Sequence, residues 1–243
     1  MPCSYLLVSH GSRDPRPEIA MQELAKLLIQ RLPKGENLVG TAALEVQSQP
    51  LHQQIQQFAN DALAVGCNSL KIVPLFLLPG VHLMTDIPAE VALAKMAFNG
   101  NITINLQPHV GSHPGLGKLL TQSMANIESE ALILLAHGSR RPLSLQPVEA
   151  IAASLRGITA YWSVPPSLDS RVQQLVADGK REIAILPYFL FSGGITDAIA
   201  LAVETLKLQF PSVNFQLAPP LGPSAELADL IWDLTKEGEK VVG

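Results

Sequence analysis

The same order of motifs occurs twice along the chain, and this internal repeat limits the possible folds more than any other feature. His-Gly-Ser-Arg follows an apolar run at residues 10–13 and again at residues 137–140. Three further pairs of segments recur in the same order: 41–42 with 159–160, 73–80 with 185–193, and 107–111 with 218–222. Four ordered matches indicate a tandem duplication of one unit. The predicted units are residues 1–127 and 128–243.

Strand-like and helix-like segments alternate within each copy. In the first copy the predicted strands are 5–8, 38–44, 70–78 and 102–106, and the predicted helices are 17–32, 51–65, 89–98 and 116–127. Such alternation is typical of parallel sheets with helices on both faces. The fold class is therefore predicted to be α/β, with two parallel-sheet lobes.

Composition excludes several classes of protein. Apolar residues make up 47% of the 243 residues and charged residues 16%, which argues against disorder. A net charge of −4 provides no basic surface for nucleic acid. The only cysteines, Cys3 and Cys67, argue against a disulfide scaffold or a zinc finger. Since the apolar runs are too short to span a membrane and no signal peptide is recognisable, we expect a soluble cytoplasmic protein.

Polar side chains follow three predicted strands of the first copy. His10, Glu45 and His82 each lie just beyond the carboxyl end of an apolar run. Taken alone, each would be interpreted as a cap or a packed residue. Because ligands bind at the carboxyl edge of parallel sheets, the three together predict one site. Two imidazoles and one carboxylate suit divalent iron, cobalt, nickel or zinc, and they leave coordination positions open for a substrate.

The second copy lacks most of this set. His137 repeats His10, but Ser163 and Ile195 occupy the positions of Glu45 and His82. The sequence therefore predicts one metal site per chain, in the first copy, and a degenerate site in the second.

Residues beside the His-Gly-Ser segments are weaker predictions. Four arginines could bind carboxylates or could be solvated surface residues: Arg13, Arg16, Arg140 and Arg141. Ser12, Ser139 and Asp86 are predicted as helix caps. His52 is predicted on a helix surface, and His109 and His113 could be surface residues or auxiliary metal ligands.

Other catalytic motifs are missing from the sequence. It contains no dinucleotide-binding fingerprint, P-loop or nucleophile elbow. A histidine phosphatase is an alternative, but it requires an arginine before His10, where this chain has Ser9.

The combined motifs resemble the sirohydrochlorin chelatases of the CbiX type. The resemblance lies in residues 7–13, Leu44-Glu45, 74–82 and 86–88, and it extends over the whole chain because the second half resembles a second copy. These enzymes insert cobalt or ferrous iron into the tetrapyrrole sirohydrochlorin, for siroheme or cobalamin. The resemblance implies two flavodoxin-like lobes that face each other across a cleft holding the tetrapyrrole.

The resemblance also implies roles for residues. It places the metal site on His10 and His82, with Glu45 as their acidic partner, and these three are the predicted catalytic residues. Because the implied substrate carries many carboxylates, substrate binding is predicted for residues beside the two His-Gly-Ser segments: Ser12, Arg13, Arg16, His137, Arg140 and Arg141. It implies no cofactor beyond the divalent metal substrate, which could be cobalt, iron or nickel. A monomer or a weak homo-oligomer is expected, without nucleic-acid or membrane partners. A carrier that binds metal or tetrapyrrole without turnover is the main alternative.

Overall fold

The computed structural model describes residues 3–33, 38–141 and 144–237, which form two compact units. One unit comprises Met1–Leu116 together with Pro223–Gly243, and the other comprises Gly117–Gly222. No helix in the described ranges is long and apolar enough to cross a membrane.

A four-stranded parallel sheet forms the centre of the first unit. Its strands lie in the order β2-β1-β3-β4. Their bounds are β1 (Cys3–Ser9), β2 (Val39–Ala43), β3 (Ser69–Pro74) and β4 (Thr103–Leu106). In the central strands, Leu7 is paired with Thr41 on one side and Val73 on the other. This register aligns the carboxyl ends of β1, β2 and β3 at one edge of the sheet.

Helices cover both faces of this sheet, as near-continuous apolar strands require. The connecting helices are α1 (Arg16–Ile29), α2 (Leu51–Ala64) and α3 (Ile87–Met96). Leu6 and Ile72 pack in one core with Ile55 of α2 and Ile87 of α3. Side chains at alternate strand positions point to the opposite face, where α1 packs beside the C-terminal helix α8 (Ala225–Glu237).

The C-terminal helix α8 belongs to the first unit although it ends the second copy. Trp232 packs edge-on against Tyr5 of β1, with ring centroids 6.1 Å apart. The buried ammonium group of Lys71 donates to the Thr235 carbonyl at 2.9 Å, near the negative end of the helix dipole. The division into units therefore differs from the predicted boundary at residue 127/128, because the apolar face of α8 is buried against the first sheet.

The second unit repeats the same topology. Its parallel sheet has the order β6-β5-β7-β8. The strands are β5 (Ala131–Ala136), β6 (Ile158–Tyr161), β7 (Glu182–Pro187) and β8 (Asn214–Leu217). The remaining helices are α4 (Leu116–Ser123), α5 (Gln146–Ser154), α6 (Leu168–Ala177) and α7 (Gly194–Gln209). The predicted α/β class, with two parallel-sheet units, is confirmed.

Candidate metal centre

His10 is held at the end of β1 by a tight turn. Gly11 has a φ of +97°, and a Cβ at this position would collide with the carbonyl oxygen of Glu45. Glycine therefore permits the loop after β1 to lie directly against the loop after β2. The Glu45 amide donates to the His10 carbonyl at 2.9 Å, which fixes the backbones of these two residues relative to each other.

Glu45 lies two residues beyond the end of β2. The next residue, Val46, has a φ of +62°, an uncommon conformation for a β-branched side chain. Left-handed backbone of this kind costs about 1–2 kcal/mol and is concentrated at functional sites. The strain lies directly beside the proposed metal ligand.

His82 begins a short π-helical turn rather than a regular helix. The turn spans His82–Asp86, and the amide of Ile87 donates to the His82 carbonyl. β3 ends at Pro74, earlier than the predicted strand end at residue 78, and α3 begins at Ile87. Single π turns are rare and occur frequently at functional sites.

The structure brings these three side chains together. One ligand atom from each of His10, Glu45 and His82 lies within 4.8 Å of the others. His10 Nε2 is 4.0 Å from a Glu45 carboxylate oxygen, and the two imidazole rings lie 4.8 Å apart at 87°. Ligands at about 2 Å from one ion lie about 3–4 Å from each other. Small side-chain rotations would therefore suffice for all three residues to bind one ion.

The side chains of the trio are open to solvent. They are 49%, 51% and 39% exposed for His10, Glu45 and His82 respectively. An ion bound here would keep coordination positions free for water or for a second molecule. The arrangement is therefore better suited to binding an ion temporarily than to holding it permanently, as a closed structural site does.

A cavity of about 320 Å³ adjoins the trio. Its lining is Leu44, Glu45, Pro50, Leu51, His82, Asp86, Ala89 and Glu90. Asp86 Oδ2 lies 2.8 Å from His82 Nδ1, and its side chain caps no helix, so the predicted cap role is wrong. The sequence feature that could have indicated this pair is the spacing of four residues between His82 and Asp86, which places two side chains on the same face of a helical turn.

A second imidazole–carboxylate pair lies beside the same cavity. Glu90 accepts from the His52 backbone amide at 2.7 Å and lies 2.9 Å from His52 Nδ1. Both side chains are about three-quarters buried, so His52 is not the surface histidine that its helix position suggested. His109 is likewise half-buried, and this burial lowers the pKa of its imidazole.

The two arginines near His10 have different surroundings. Arg16 forms a forked ion pair with Asp14, with Nε–O distances of 3.0 and 3.1 Å. Arg13 is exposed and has no ion-pair partner among the described residues. Ser12 accepts a hydrogen bond from the Asp14 amide at 3.0 Å, and since α1 begins only at Arg16 it is not a helix cap.

The corresponding edge of the second unit carries no such cluster in the described residues. The Ser163 amide donates to the His137 carbonyl at 2.9 Å, which repeats the backbone contact of Glu45 with His10. The Ser163 hydroxyl donates to the same carbonyl, and Ile195 is exposed near the start of α7.

Several other polar and aromatic residues of the second unit lie just after β5 or at the end of β6. Arg140 and Arg141 are exposed after β5, and their substrate-binding role stays a prediction. The Ser139 hydroxyl accepts from the Arg141 amide and caps none of the described helices. Tyr161 is a core residue, whereas Trp162 is exposed.

Comparison with known proteins gives one consistent family. The CbiX family model matches residues 4–127 and again residues 131–238. A sirohydrochlorin cobaltochelatase of Priestia megaterium is 28% identical over 251 residues, covering 97% of this chain and 79% of the relative. A sirohydrochlorin ferrochelatase of Bacillus subtilis is 25% identical over 224 residues, covering 86% and 82%.

Solved structures agree on the fold. The structure of SirB from Bacillus subtilis with Fe³⁺ aligns with a TM-score of 0.78 at 24% identity, over 98% of this chain and 95% of that one. SirB from Bacillus subtilis subspecies spizizenii in complex with cobalt, a sirohydrochlorin chelatase, aligns with a TM-score of 0.74 at 22% identity, over 99% and 96%. Because the family model matches each half of the duplicated sequence in turn, this chain belongs to the CbiX family.

Proposed function

We propose that this protein is a metal chelatase that inserts Co²⁺ or Fe²⁺ into sirohydrochlorin. The observation that carries the proposal is the convergence of His10, Glu45 and His82 at one sheet edge. Family membership and the named relatives, which include both cobaltochelatases and ferrochelatases, support the same reaction.

The metal ion is a substrate of this reaction, so its site must bind it and then release it. Imidazole and carboxylate ligands bind both ions. The three residues include no thiolate, so they do not form the closed, permanent type of site that holds structural zinc. Solvent exposure of the trio leaves room for the pyrrole nitrogens to replace water and then protein ligands.

Insertion also requires proton acceptors. Each divalent ion that enters the macrocycle replaces two pyrrole N–H protons, which leave as two H⁺. Neutral imidazole is a competent base near pH 7. The imidazoles of His10 and His82 can accept these protons once the ion has left them, and Glu45 can accept from the neighbouring His10.

The substrate carries several carboxylates, which explains the need for a cation near the trio. Arg13 follows His10 by three residues and is exposed without an ion-pair partner in the described part of the chain. It is the residue of the first unit that we assign to substrate carboxylates. Arg16 is already neutralised by Asp14, so it contributes less.

The test is an anaerobic absorbance assay of sirohydrochlorin with catalytic amounts of protein and either metal. Conversion of many equivalents, faster than in a metal-only blank, is the expected result. Conversion that stops at one equivalent would indicate a carrier, and no conversion with either metal would refute the proposal.

Variants connect the activity with the site. The change His82→Ala should lower the insertion rate at least about 100-fold, on the scale of losing a positioned acid–base group. His113→Asn is the control, since its ring accepts from the Gly115 amide and it lies outside the trio. Wild-type insertion by His82→Ala would show that the metal site lies elsewhere.

A further inference from the structure

His82 and Asp86 occupy the two ends of the π turn, and their side chains lie within hydrogen-bond distance. Asp86 Oδ2 lies 2.8 Å from His82 Nδ1, within hydrogen-bond distance, and no backbone amide of α3 uses this carboxylate as a cap. Both side chains are about 40% exposed, so the surrounding protein does not hold the pair by burial.

The π turn is an insertion in the first copy relative to the second. Leu75 and Tyr188 make equivalent backbone contacts after their strands, to Val8 and Leu135 respectively. Ile87, which is buried, lies twelve positions after Leu75, whereas the buried Ile199 lies eleven positions after Tyr188.

One extra residue in a helix is the usual origin of a π turn. In the second copy α7 begins directly at Gly194, without a preceding π turn. The extra residue is therefore confined to the copy that carries the trio.

The chemistry of the pair determines which nitrogen of His82 carries the proton. An ionised carboxylate only accepts hydrogen bonds, so a neutral imidazole beside it must place its hydrogen on Nδ1. The other nitrogen, Nε2, then has a free lone pair. Only that form of the ring can bind a metal ion through Nε2 without first losing a proton.

The two imidazoles of the trio differ in this respect. His10 Nδ1 has only the carbonyl of its neighbour Gly11 at 3.4 Å, and Glu45 lies 4.0 Å from its Nε2. Among the described contacts, a carboxylate at hydrogen-bond distance is present on His82 and not on His10. One ligand is thus held in a fixed orientation and the other is freer to turn.

We propose that Asp86 is a positioning residue, which holds His82 as the Nδ1–H tautomer and presents Nε2 to the incoming ion. The inference rests on the proposed function for its consequence in catalysis, but its effect on metal binding does not require the tetrapyrrole. Carboxylate partners of metal-binding histidines typically contribute 10–100-fold to metal affinity or activity.

Two variants of Asp86 separate this role from a purely structural one. Asp86→Asn keeps the shape of the side chain, but its amide can either accept from Nδ1–H or donate to Nδ1, so it no longer selects one tautomer. Asp86→Ala removes the partner. We expect Co²⁺ affinity, measured by calorimetry without tetrapyrrole, to fall about 10–100-fold in both variants. Asp229→Asn, which breaks an exposed ion pair with Arg31 in the same unit, is the matched control and should bind Co²⁺ like the wild type.

Nitrogen NMR of histidine-labelled, metal-free protein tests the tautomer directly. At a pH of about 8.5, well above the usual histidine pKa of about 6.5, wild-type His82 should show the Nδ1–H form. Asp86→Ala should lose that preference. Assignment of the His82 signals comes from their disappearance in His82→Ala.

The outcomes distinguish this inference from the proposed function. Wild-type His82 in the Nε2–H form, or Co²⁺ affinity in both Asp86 variants within a factor of about two of the wild type, would overturn the positioning role whatever the enzyme does. If the wild type fails to metallate sirohydrochlorin while the Asp86 variants still lose Co²⁺ affinity and the tautomer, the proposed function fails and the positioning role stands.

Discussion

At the scale of single residues, Arg13 and Arg16 show how neighbouring cations acquire different uses. The guanidinium group of Arg16 is forked onto Asp14, which also accepts from the Arg16 backbone amide at 3.0 Å. That pair stabilises the start of α1. Arg13 is exposed on the loop that carries His10, so its charge is available to an anionic ligand.

We predict that Arg13→Gln raises KM for sirohydrochlorin about tenfold and leaves kcat nearly unchanged. One charge-assisted hydrogen bond to a carboxylate is worth about 1.5 kcal/mol, and losing equal amounts from ground and transition states changes KM alone. Steady-state kinetics at fixed metal concentration provide the measurement. Lys26→Gln, which removes an exposed charge from the last turn of α1, is the control. A fall in kcat with constant KM would instead assign Arg13 to the chemical step.

The trio was predicted from the sequence, whereas the pairing of Asp86 with His82 was not. His10, Glu45 and His82 each follow an apolar run, and parallel strands bring such positions to one edge. Asp86 precedes a helix with Pro88 in its first turn, which is the ordinary pattern of a cap. The spacing of four residues from His82 is compatible with a pair on one helical face, but it does not distinguish such a pair from a cap.

At the scale of elements, the C-terminal helix determines how the chain divides. Ile231 of α8 is fully buried, and Trp232 beside it packs against Tyr5 of the first sheet. The two tryptophans of the chain thus fall in different units, since Trp162 belongs to the second. Each tryptophan can therefore report the unfolding of its own unit.

We predict that Ile231→Ala destabilises the first unit by about 2–5 kcal/mol, the usual cost of truncating a buried isoleucine. In a Trp162→Phe background the Trp232 fluorescence transition should move to lower urea, whereas in a Trp232→Phe background the Trp162 transition should move less. Leu208→Ala on α7 is the control, because Leu208 is 84% exposed and its loss should change stability by less than about 0.5 kcal/mol. A larger shift of the Trp162 transition would place α8 with the second unit.

Element types were predictable, and the partner of the last helix was not. The alternation of strand-like and helix-like segments located the strands and helices of the first copy to within a few residues. The amphipathic pattern of α8 shows that one face must be buried, yet it does not identify the sheet that buries it. A boundary drawn from the repeat alone therefore assigned α8 to the second copy.

At the scale of the whole molecule, the two copies share one scaffold, and the described residues contain one candidate metal centre. Both units have the same strand order and the same backbone contact between the first and second strand-end loops. Of the two sheet edges in the described residues, one carries the trio. At the other edge Ser163 replaces the glutamate, and its hydroxyl donates to the His137 carbonyl. The two units therefore share a scaffold, but the difference in their side chains predicts different affinities for a metal ion.

We predict that the chain binds one equivalent of Co²⁺ tightly in the absence of tetrapyrrole. Equilibrium dialysis, with a chelator that keeps free Co²⁺ in the micromolar range, measures the tight site. Under this condition weak binding to scattered surface histidines is not counted. His10→Ala should reduce the tight stoichiometry from one to zero, because two ligands on exposed side chains cannot replace three. His137→Ala should leave it at one, because Ser163 and Ile195 provide no further ligand beside that imidazole. Two tight equivalents in the wild type, or loss of the tight site in His137→Ala, would mean that the second copy has kept a metal role that its sequence does not indicate.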